Sequence, residues 1–184
     1  MNETRIIIAG YGGQGILLLG KILAQAAMQE GKRVTFLPAY GAEVRGGTAN
    51  CMVVVSDEEI GSPFVEQADV LVAMNEPSLR RFEGRLKPRG VMIVNSSLAQ
   101  PPAGRATGAV SVPFTDIALK LGNARSANMV ALGCCAASTQ VVALKTISRI
   151  LQDFAGKTNK QLGEINQQAL LAGSKACTPG ASQR

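Results

Sequence analysis

A glycine-rich stretch near the start of the chain has the spacing of an anion-binding loop. In GYGGQG, the residues Gly10, Gly12 and Gly15 fit the pattern G-x-G-x-x-G, between an apolar run and a segment of helical periodicity. Glycine lets the backbone come close to a ligand, and the unpaired amides that begin a helix attract negative charge. The spacing predicts a loop that binds a phosphate or another anion. The alternative is a tight turn that only packs the helix closely against the strand.

The acidic residue that a dinucleotide-binding site needs is absent from its usual position. In such sites an Asp or Glu at the end of the second strand, about 20 residues further on, binds a ribose hydroxyl. Here the second predicted strand ends in FLPAY, and the first acid after it is Glu43 in the following loop. A stand-alone NAD(P)-dependent reductase of the Rossmann type is therefore the less favoured alternative.

A second concentrated motif, YGAEVRGGTAN, occupies residues 40–50 between the second and third predicted strands. We expect it at the same edge of the sheet as the glycine loop. An arginine on a rigid loop can bind a carboxylate or a phosphate, whereas the alternative, a solvent-exposed charge pair, contributes at most about 1 kcal/mol. The residues that this motif adds to the candidate site are Tyr40, Glu43, Arg45, Gly46 and Gly47.

The elements that must position these loops alternate between strands and helices. We expect Asn75 and Thr115 to cap two helices, and Pro88 and Gly90 to interrupt the chain before the fifth strand. This alternation predicts an α/β fold with three layers, in which a mainly parallel sheet has helices on both faces and helical segments follow at the C-terminus. The predicted strands are 5–9, 33–37, 51–56, 69–74, 91–95 and 109–113, and the predicted helices are 14–30, 76–86, 115–122 and two or three pieces after residue 126.

The composition is typical of one folded domain. Residues 1–175 are predicted to form a single domain and residues 176–184 a flexible tail. The chain has no histidine, and its four cysteines include no C-x-x-C pair, so we expect free buried thiols rather than a zinc or iron–sulfur site. The net charge of +6 is explained equally well by ordinary solubility, or by an acidic protein partner or a polyanionic ligand such as a phosphorylated cofactor. With two tyrosines, five phenylalanines and no tryptophan, the chain offers few stacking surfaces for nucleic acid.

The N-terminal sequence MNETRIIIAG begins with polar residues, and its short apolar stretch runs directly into the glycine loop. We therefore expect a strand of a cytoplasmic protein there rather than a signal peptide. The sequence contains no apolar run of the roughly 18 residues that a membrane span needs, so no membrane association is expected.

Several segments resemble, in the same order along the chain, the gamma subunits of 2-oxoacid:ferredoxin oxidoreductases, above all those of the 2-oxoglutarate (KorC-like) or general keto-acid type. The resemblance covers nearly the whole chain and implies an α/β fold, in agreement with the strand pattern. The segments are GYGGQG, YGAEVRGGTAN, SDEEIGSP, ADVLVAMN and LKPRGVMIVN, followed by ARSANMVALG and EINQQAL.

The resemblance implies a role within a larger enzyme. In that family the complex oxidatively decarboxylates a 2-oxoacid with coenzyme A and yields an acyl-CoA, carbon dioxide and reduced ferredoxin. The alpha and beta subunits bind thiamine diphosphate and its magnesium, and iron–sulfur clusters lie in the beta and delta subunits. We therefore expect this chain to bind none of these cofactors and to be inactive alone. When isolated it can self-associate as a homodimer through surfaces meant for its partners.

We hypothesise two linked roles for this subunit, an assembly surface and a share of the coenzyme A site. A third interpretation is an interaction module without any ligand, in which the glycine loop is only a turn. The residues expected to bind coenzyme A are Gly10, Gly12, Gly13, Gln14, Gly15 and Arg45. The residues expected to shape the loops or contact partners are Tyr40, Glu43, Gly46, Gly47, Asn75 and Asn95.

Overall fold

The computed structural model describes residues 3–40, 48–105, 109–155 and 160–177. Within these ranges the strands are β1 Glu3–Tyr11, β2 Arg33–Tyr40, β3 Thr48–Ser56, β4 Ala68–Ala73, β5 Leu86–Asn95 and β6 Ala109–Val112. They form one sheet in the order β2-β3-β1-β4-β5-β6. β1, β4, β5 and β6 pair in parallel, whereas β3 runs antiparallel to both of its neighbours. The prediction of a mainly parallel sheet is confirmed.

Helices cover both faces of this sheet, but unequally. Their bounds in the described ranges are α1 Ile16–Gln29, α2 Glu76–Phe82, α3 Phe114–Lys120, α4 Ala127–Thr139, α5 Leu144–Ala155 and α6 Lys160–Ala176. Side chains of α1 and of α3 to α6 share one buried core with the sheet, whereas α2 contributes to a second core on the opposite face. None of these helices is long and apolar enough to cross a membrane.

The central strand β1 shows why the sheet has a core on each side. Ile6 and Ile8 belong to the core beneath α1, whereas Ile7 and Ala9 belong to the core beneath α2. Successive side chains of a strand point to opposite faces, so a strand that is covered on both sides must be apolar throughout. The continuous apolar run of β1 is therefore the sequence signature of its central position.

The two motifs border the same edge of the sheet. The glycine loop follows the carboxyl end of β1, where Tyr11 pairs with Thr48, the first residue of β3. Tyr40, the last residue of β2, pairs with Ala49. The chain thus leaves and re-enters the sheet around the second motif at the edge where the glycine loop lies. The motif's Glu43, Arg45, Gly46 and Gly47 fall outside the described residues.

The expectation that Pro88 and Gly90 interrupt the chain before the fifth strand is wrong. β5 begins at Leu86 and continues through both residues. The β4–β5 register shifts between the pairs Ala68–Leu86 and Val70–Val91. Pro88, which has no N–H group to donate, therefore lies in an irregular part of the ladder, where proline is tolerated.

The four cysteines are not all free thiols, as the sequence had suggested. Cys134 of α4 and Cys177 after α6 form a disulfide with Cα atoms 5.4 Å apart, whereas Cys51 and Cys135 are free and buried. The two helices come close because Gly133 lies against the Leu170 carbonyl oxygen, where a Cβ atom would be only 1.9 Å away. This approach brings together two residues 43 positions apart. The disulfide also holds the start of the predicted tail, since α6 ends at Ala176.

Candidate anion-binding site at the carboxyl edge of the sheet

The glycine loop has the backbone conformation that its sequence predicts. Gly13 and Gly15 have φ values of 97° and 72°, in the left-handed region where a side chain is strained. Gly15 is also the N-cap residue of α1, and no side chain caps this end of the helix. Because the first amides of a helix lack partners inside the helix, they remain able to bind an external anion.

Gln14, predicted as a ligand-binding residue, fastens the loop to the end of β4. Its side-chain oxygen Oε1 accepts hydrogen bonds from the Tyr11 amide at 2.7 Å and from Asn75 Nδ2 at 2.8 Å. Its Nε2 group lies 3.4 Å from the Met74 carbonyl oxygen, to which it donates. The side-chain amide thus has partners within the protein, and what the loop offers to a ligand is its backbone.

Asn75 and Asn95, the two asparagines predicted to shape the loops, lie beside this attachment. Asn75 Oδ1 accepts a hydrogen bond from the Ser78 amide at 3.0 Å, which confirms Asn75 as the cap of α2. Asn95 is fully buried, and its Nδ2 donates to the Met74 carbonyl at 3.1 Å. Gln14 donates to the same carbonyl oxygen. The side chains of Gln14, in the loop after β1, and of Asn95, at the end of β5, therefore meet at Met74, the residue after β4.

Thr115 does not cap the following helix as predicted. α3 begins one residue earlier, at Phe114, and its N-cap residue is Pro113, which makes no side-chain capping bond. The Thr115 hydroxyl instead accepts a hydrogen bond from Asn95 Nδ2 at 2.9 Å, and the Thr115 amide donates to Asn95 Oδ1 at 3.3 Å. Asn95, 20 positions earlier in the sequence, therefore supplies the hydrogen-bond acceptor for an amide in the first turn of α3.

A cavity of about 210 Å³ opens beside the glycine loop at this edge. Arg125, in the 3-10 turn before α4, is exposed and lines the cavity. Its side chain makes no ion pair with any described residue. The cavity therefore combines part of the glycine loop, one arginine that forms no ion pair with a described residue and a partly apolar wall. Its lining residues are Gly13, Gln14, Met74, Leu98, Thr115, Ala124, Arg125 and Ala127.

This cavity is equipped for binding rather than for acid–base chemistry. Its lining includes no carboxylate, thiol or imidazole, and these are the usual proton-transfer groups. No cluster of three or more His, Cys, Asp or Glu side chains that could hold a metal ion occurs in the described part of the chain. A larger cavity of about 340 Å³ lies at the opposite edge, beside the Lys32–Asp57 ion pair and away from both motifs.

Two arginines outside the predicted site residues lie at this edge. Arg125 occurs in ARSANMVALG, which carried part of the family resemblance but no assigned chemistry. Arg81 of α2 donates a hydrogen bond from Nη1 to the Thr48 hydroxyl at 2.7 Å, at the start of β3. No local signal marks Arg81, because it stands among other charged residues of a short helix. The resemblance of the ARSAN segment was the available signal for Arg125.

Comparison with known proteins assigns the family. A family model described as "Pyruvate ferredoxin/flavodoxin oxidoreductase" matches residues 5–176. The chain belongs to this family. The 2-oxoglutarate synthase subunit KorC of Methanothermobacter thermautotrophicus is 32% identical over an alignment of 190 positions, which covers 98% of this chain and 99% of that protein. The resemblance to KorC-like subunits that the motifs indicate is thus confirmed.

Another relative in the family is much longer. The ketoisovalerate oxidoreductase subunit VorA of the same organism is 50% identical over 131 residues. The match covers 71% of this chain but only 27% of VorA. The chain therefore spans about a quarter of the length of this curated relative.

Solved structures of the family share the fold. The gamma subunit of a keto/oxoacid ferredoxin oxidoreductase from Geobacter sulfurreducens is 29% identical with a TM-score of 0.77, and the match covers 95% of this chain and 98% of that one. The 2-oxoglutarate:ferredoxin oxidoreductase from Magnetococcus marinus, solved with 2-oxoglutarate, coenzyme A and succinyl-CoA bound, is 26% identical with a TM-score of 0.87. That match covers 96% of this chain and 31% of the other chain. The chain is therefore a gamma-type member of the family.

Proposed function

We propose that this chain is the gamma subunit of a multi-subunit 2-oxoacid:ferredoxin oxidoreductase and that it contributes an assembly surface and part of the coenzyme A site. The complex would convert a 2-oxoacid and coenzyme A into an acyl-CoA and carbon dioxide, with reduction of ferredoxin. Alpha, beta and delta subunits would supply thiamine diphosphate, magnesium and the iron–sulfur clusters. A cytoplasmic location and inactivity of the isolated chain are parts of the same proposal.

One observation carries the coenzyme A role: the glycine loop and the unpaired guanidinium of Arg125 border a single cavity at the carboxyl edge of the sheet. Parallel α/β sheets bind their ligands at this edge. Coenzyme A carries phosphate groups on a flexible pantetheine arm. Backbone amides and a guanidinium suit the phosphates, and the apolar wall formed by Met74 and Leu98 suits the arm.

The assembly role is supported by exposed apolar side chains next to the same cavity. Tyr11, the last residue of β1, is 38% exposed, and Leu98, which lines the cavity beyond β5, is 46% exposed. Exposed apolar surface is commonly covered when a protein binds its partners. A site that borders such a surface can be completed by a partner subunit, as expected if the coenzyme A site is shared.

The assembly role is tested by affinity purification of the tagged chain from the organism that encodes it. We expect thiamine-binding and iron–sulfur chains to be recovered with it in fixed proportions. Recovery of the chain alone, or only as a homodimer, would contradict the proposed complex.

Arg45→Ala in the reconstituted complex tests the share of the coenzyme A site that the sequence motif predicts. We expect a higher KM for coenzyme A, an unchanged KM for the 2-oxoacid and normal assembly, because one positive charge near the phosphates is lost. Arg33→Ala is the matched control, since Arg33 begins β2 at the opposite edge of the sheet. If assembly is intact and the KM for coenzyme A is unchanged, Arg45 is not part of the site.

A further inference from the structure

The ARSAN segment, residues 124–128, links the C-terminal helix α6 to the glycine loop. Ser126 Oγ donates a hydrogen bond to Asn166 Oδ1 in α6 at 2.8 Å. Two residues later, Asn128 Nδ2 donates to the Gly15 carbonyl oxygen at 3.2 Å. Ser126 and Asn128 are 1% and 4% exposed, so each of these bonds has one buried partner. The two family-like segments of the latter half are thereby joined to each other and to the predicted anion site.

Asn128 fixes Gly15 by contact as well as by hydrogen bonding. A Cβ atom on Gly15 would lie 2.2 Å from Asn128 Nδ2 and 2.9 Å from its Cγ atom, so the asparagine fills the space beside the glycine. The Gly15 carbonyl also accepts the first hydrogen bond of α1, from the Leu19 amide at 3.0 Å. Because carbonyl and amide groups of a helix point in opposite directions, a carbonyl held toward α1 leaves the first amides directed outward.

The same segment positions Arg125. Asn123 Oδ1 accepts a hydrogen bond from the Arg125 amide at 3.0 Å, and the Asn123 carbonyl accepts one from the Ser126 amide at 3.0 Å. The backbone around Arg125 is therefore fixed, while its side chain lines the cavity beside Gly13. One short segment thus carries both the unpaired cation and the residue that shapes the loop opposite it.

We propose that Asn128 is a positioning residue that holds the glycine loop in its anion-binding conformation. The identity of the ligand, the phosphate groups of coenzyme A, rests on the proposed function, whereas the positioning of the loop does not. Asn128 itself lines no part of the cavity and acts through Gly15.

The test compares Asn128→Ala with Ser148→Ala in two measurements. Ser148→Ala is the matched control because it also removes a part-buried side-chain hydrogen bond of the C-terminal helices, from Ser148 to Gln167 at 2.9 Å, without touching the loop. The first measurement is amide hydrogen exchange of residues 12–19 in the full chain. The second is the steady-state kinetics of the reconstituted complex with coenzyme A as the varied substrate. Asn128→Thr, of similar volume but without the amide group, repeats both measurements if the alanine variant does not fold.

For Asn128→Ala we expect about fivefold faster exchange in the loop, the effect of losing one hydrogen bond. We also expect a KM for coenzyme A raised by about the same factor at unchanged kcat. If Asn128 had a purely structural role, its replacement would reduce the amount of folded complex but would not raise the KM for coenzyme A at unchanged kcat. This is the result that we expect for Ser148→Ala. Unchanged loop exchange would overturn the inference. Faster exchange with an unchanged KM would support the positioning role and count against the proposed share in coenzyme A binding.

Discussion

Replacing Gly15 by alanine is a sharp test of the glycine loop, because the same helix offers a matched control. Gly15 before α1 has a φ of 72° and Gly31 after it has a φ of 78°, so alanine meets a similar left-handed penalty of about 1–2 kcal/mol at both positions. The surroundings of the two glycines differ. A Cβ atom at Gly15 would lie 2.2 Å from Asn128, whereas one at Gly31 would have no neighbouring heavy atom within 4 Å.

The expected difference follows from what the new methyl group must displace. At Gly15 it removes the Asn128 hydrogen bond, which costs about 1 kcal/mol, and it overpacks a site where Asn128 is nearly fully buried, which costs about 1–3 kcal/mol. We therefore expect Gly15→Ala to lower the free energy of unfolding by about 2–4 kcal/mol more than Gly31→Ala does.

Urea unfolding of the wild type and both variants measures this difference. Combining Gly15→Ala with Asn128→Ala should recover part of the loss, because the smaller side chain makes room for the methyl group. Equal destabilisation by the two glycine replacements would refute the packing of Asn128 against the loop.

Three further predictions concern the polar network and the cysteines. Asn95→Ala should lower the free energy of unfolding by about 2–4 kcal/mol, since it leaves buried hydrogen-bonding groups without partners; a loss below about 1 kcal/mol in urea unfolding would contradict the network. Cys134→Ser should lower the free energy of unfolding by about 4 kcal/mol, because the unfolded chain gains entropy once the disulfide no longer closes the loop. Thiol titration of the unfolded, unreduced wild type should find only the thiols of Cys51 and Cys135. Four free thiols would exclude the disulfide. Burial raises the pKa of Cys51 and of Cys135 from 9.0 to about 12. Since the unfolded thiols ionise first, stability should fall as the pH rises from 9 to 12, and replacing both by alanine should remove that dependence.

The sequence predicts the sheet well because its strands are marked by local pattern. The apolar runs of β1, β3 and β4 reflect burial on both faces, and the predicted cap Asn75 performs its role with a neighbour only three positions away. The glycine loop is equally local, since its left-handed residues and the helix that follows are contiguous. These features depend on interactions among residues close in sequence, which is what periodicity and capping patterns record.

The wrong predictions concern partners that are distant in sequence. Thr115 has the residue type of a helix cap, but Asn95 at the end of β5 supplies the hydrogen-bond acceptor. The disulfide between Cys134 and Cys177 depends on how closely α4 and α6 pack, which no local pattern reveals. Asn128 likewise gains its role only through contact with a loop more than 100 positions away.

The measurement that tests the central claim most directly is the KM for coenzyme A of the reconstituted complex carrying Arg125→Ala, with Arg33→Ala as the control at the opposite edge. A charge-assisted hydrogen bond contributes about 1.5–3 kcal/mol, so loss of the Arg125 guanidinium should raise this KM about tenfold or more. The KM for the 2-oxoacid and the assembly of the complex should stay unchanged, and the control should behave like the wild type. An unchanged KM for coenzyme A in the assembled Arg125→Ala complex would contradict the assignment of this cavity to coenzyme A.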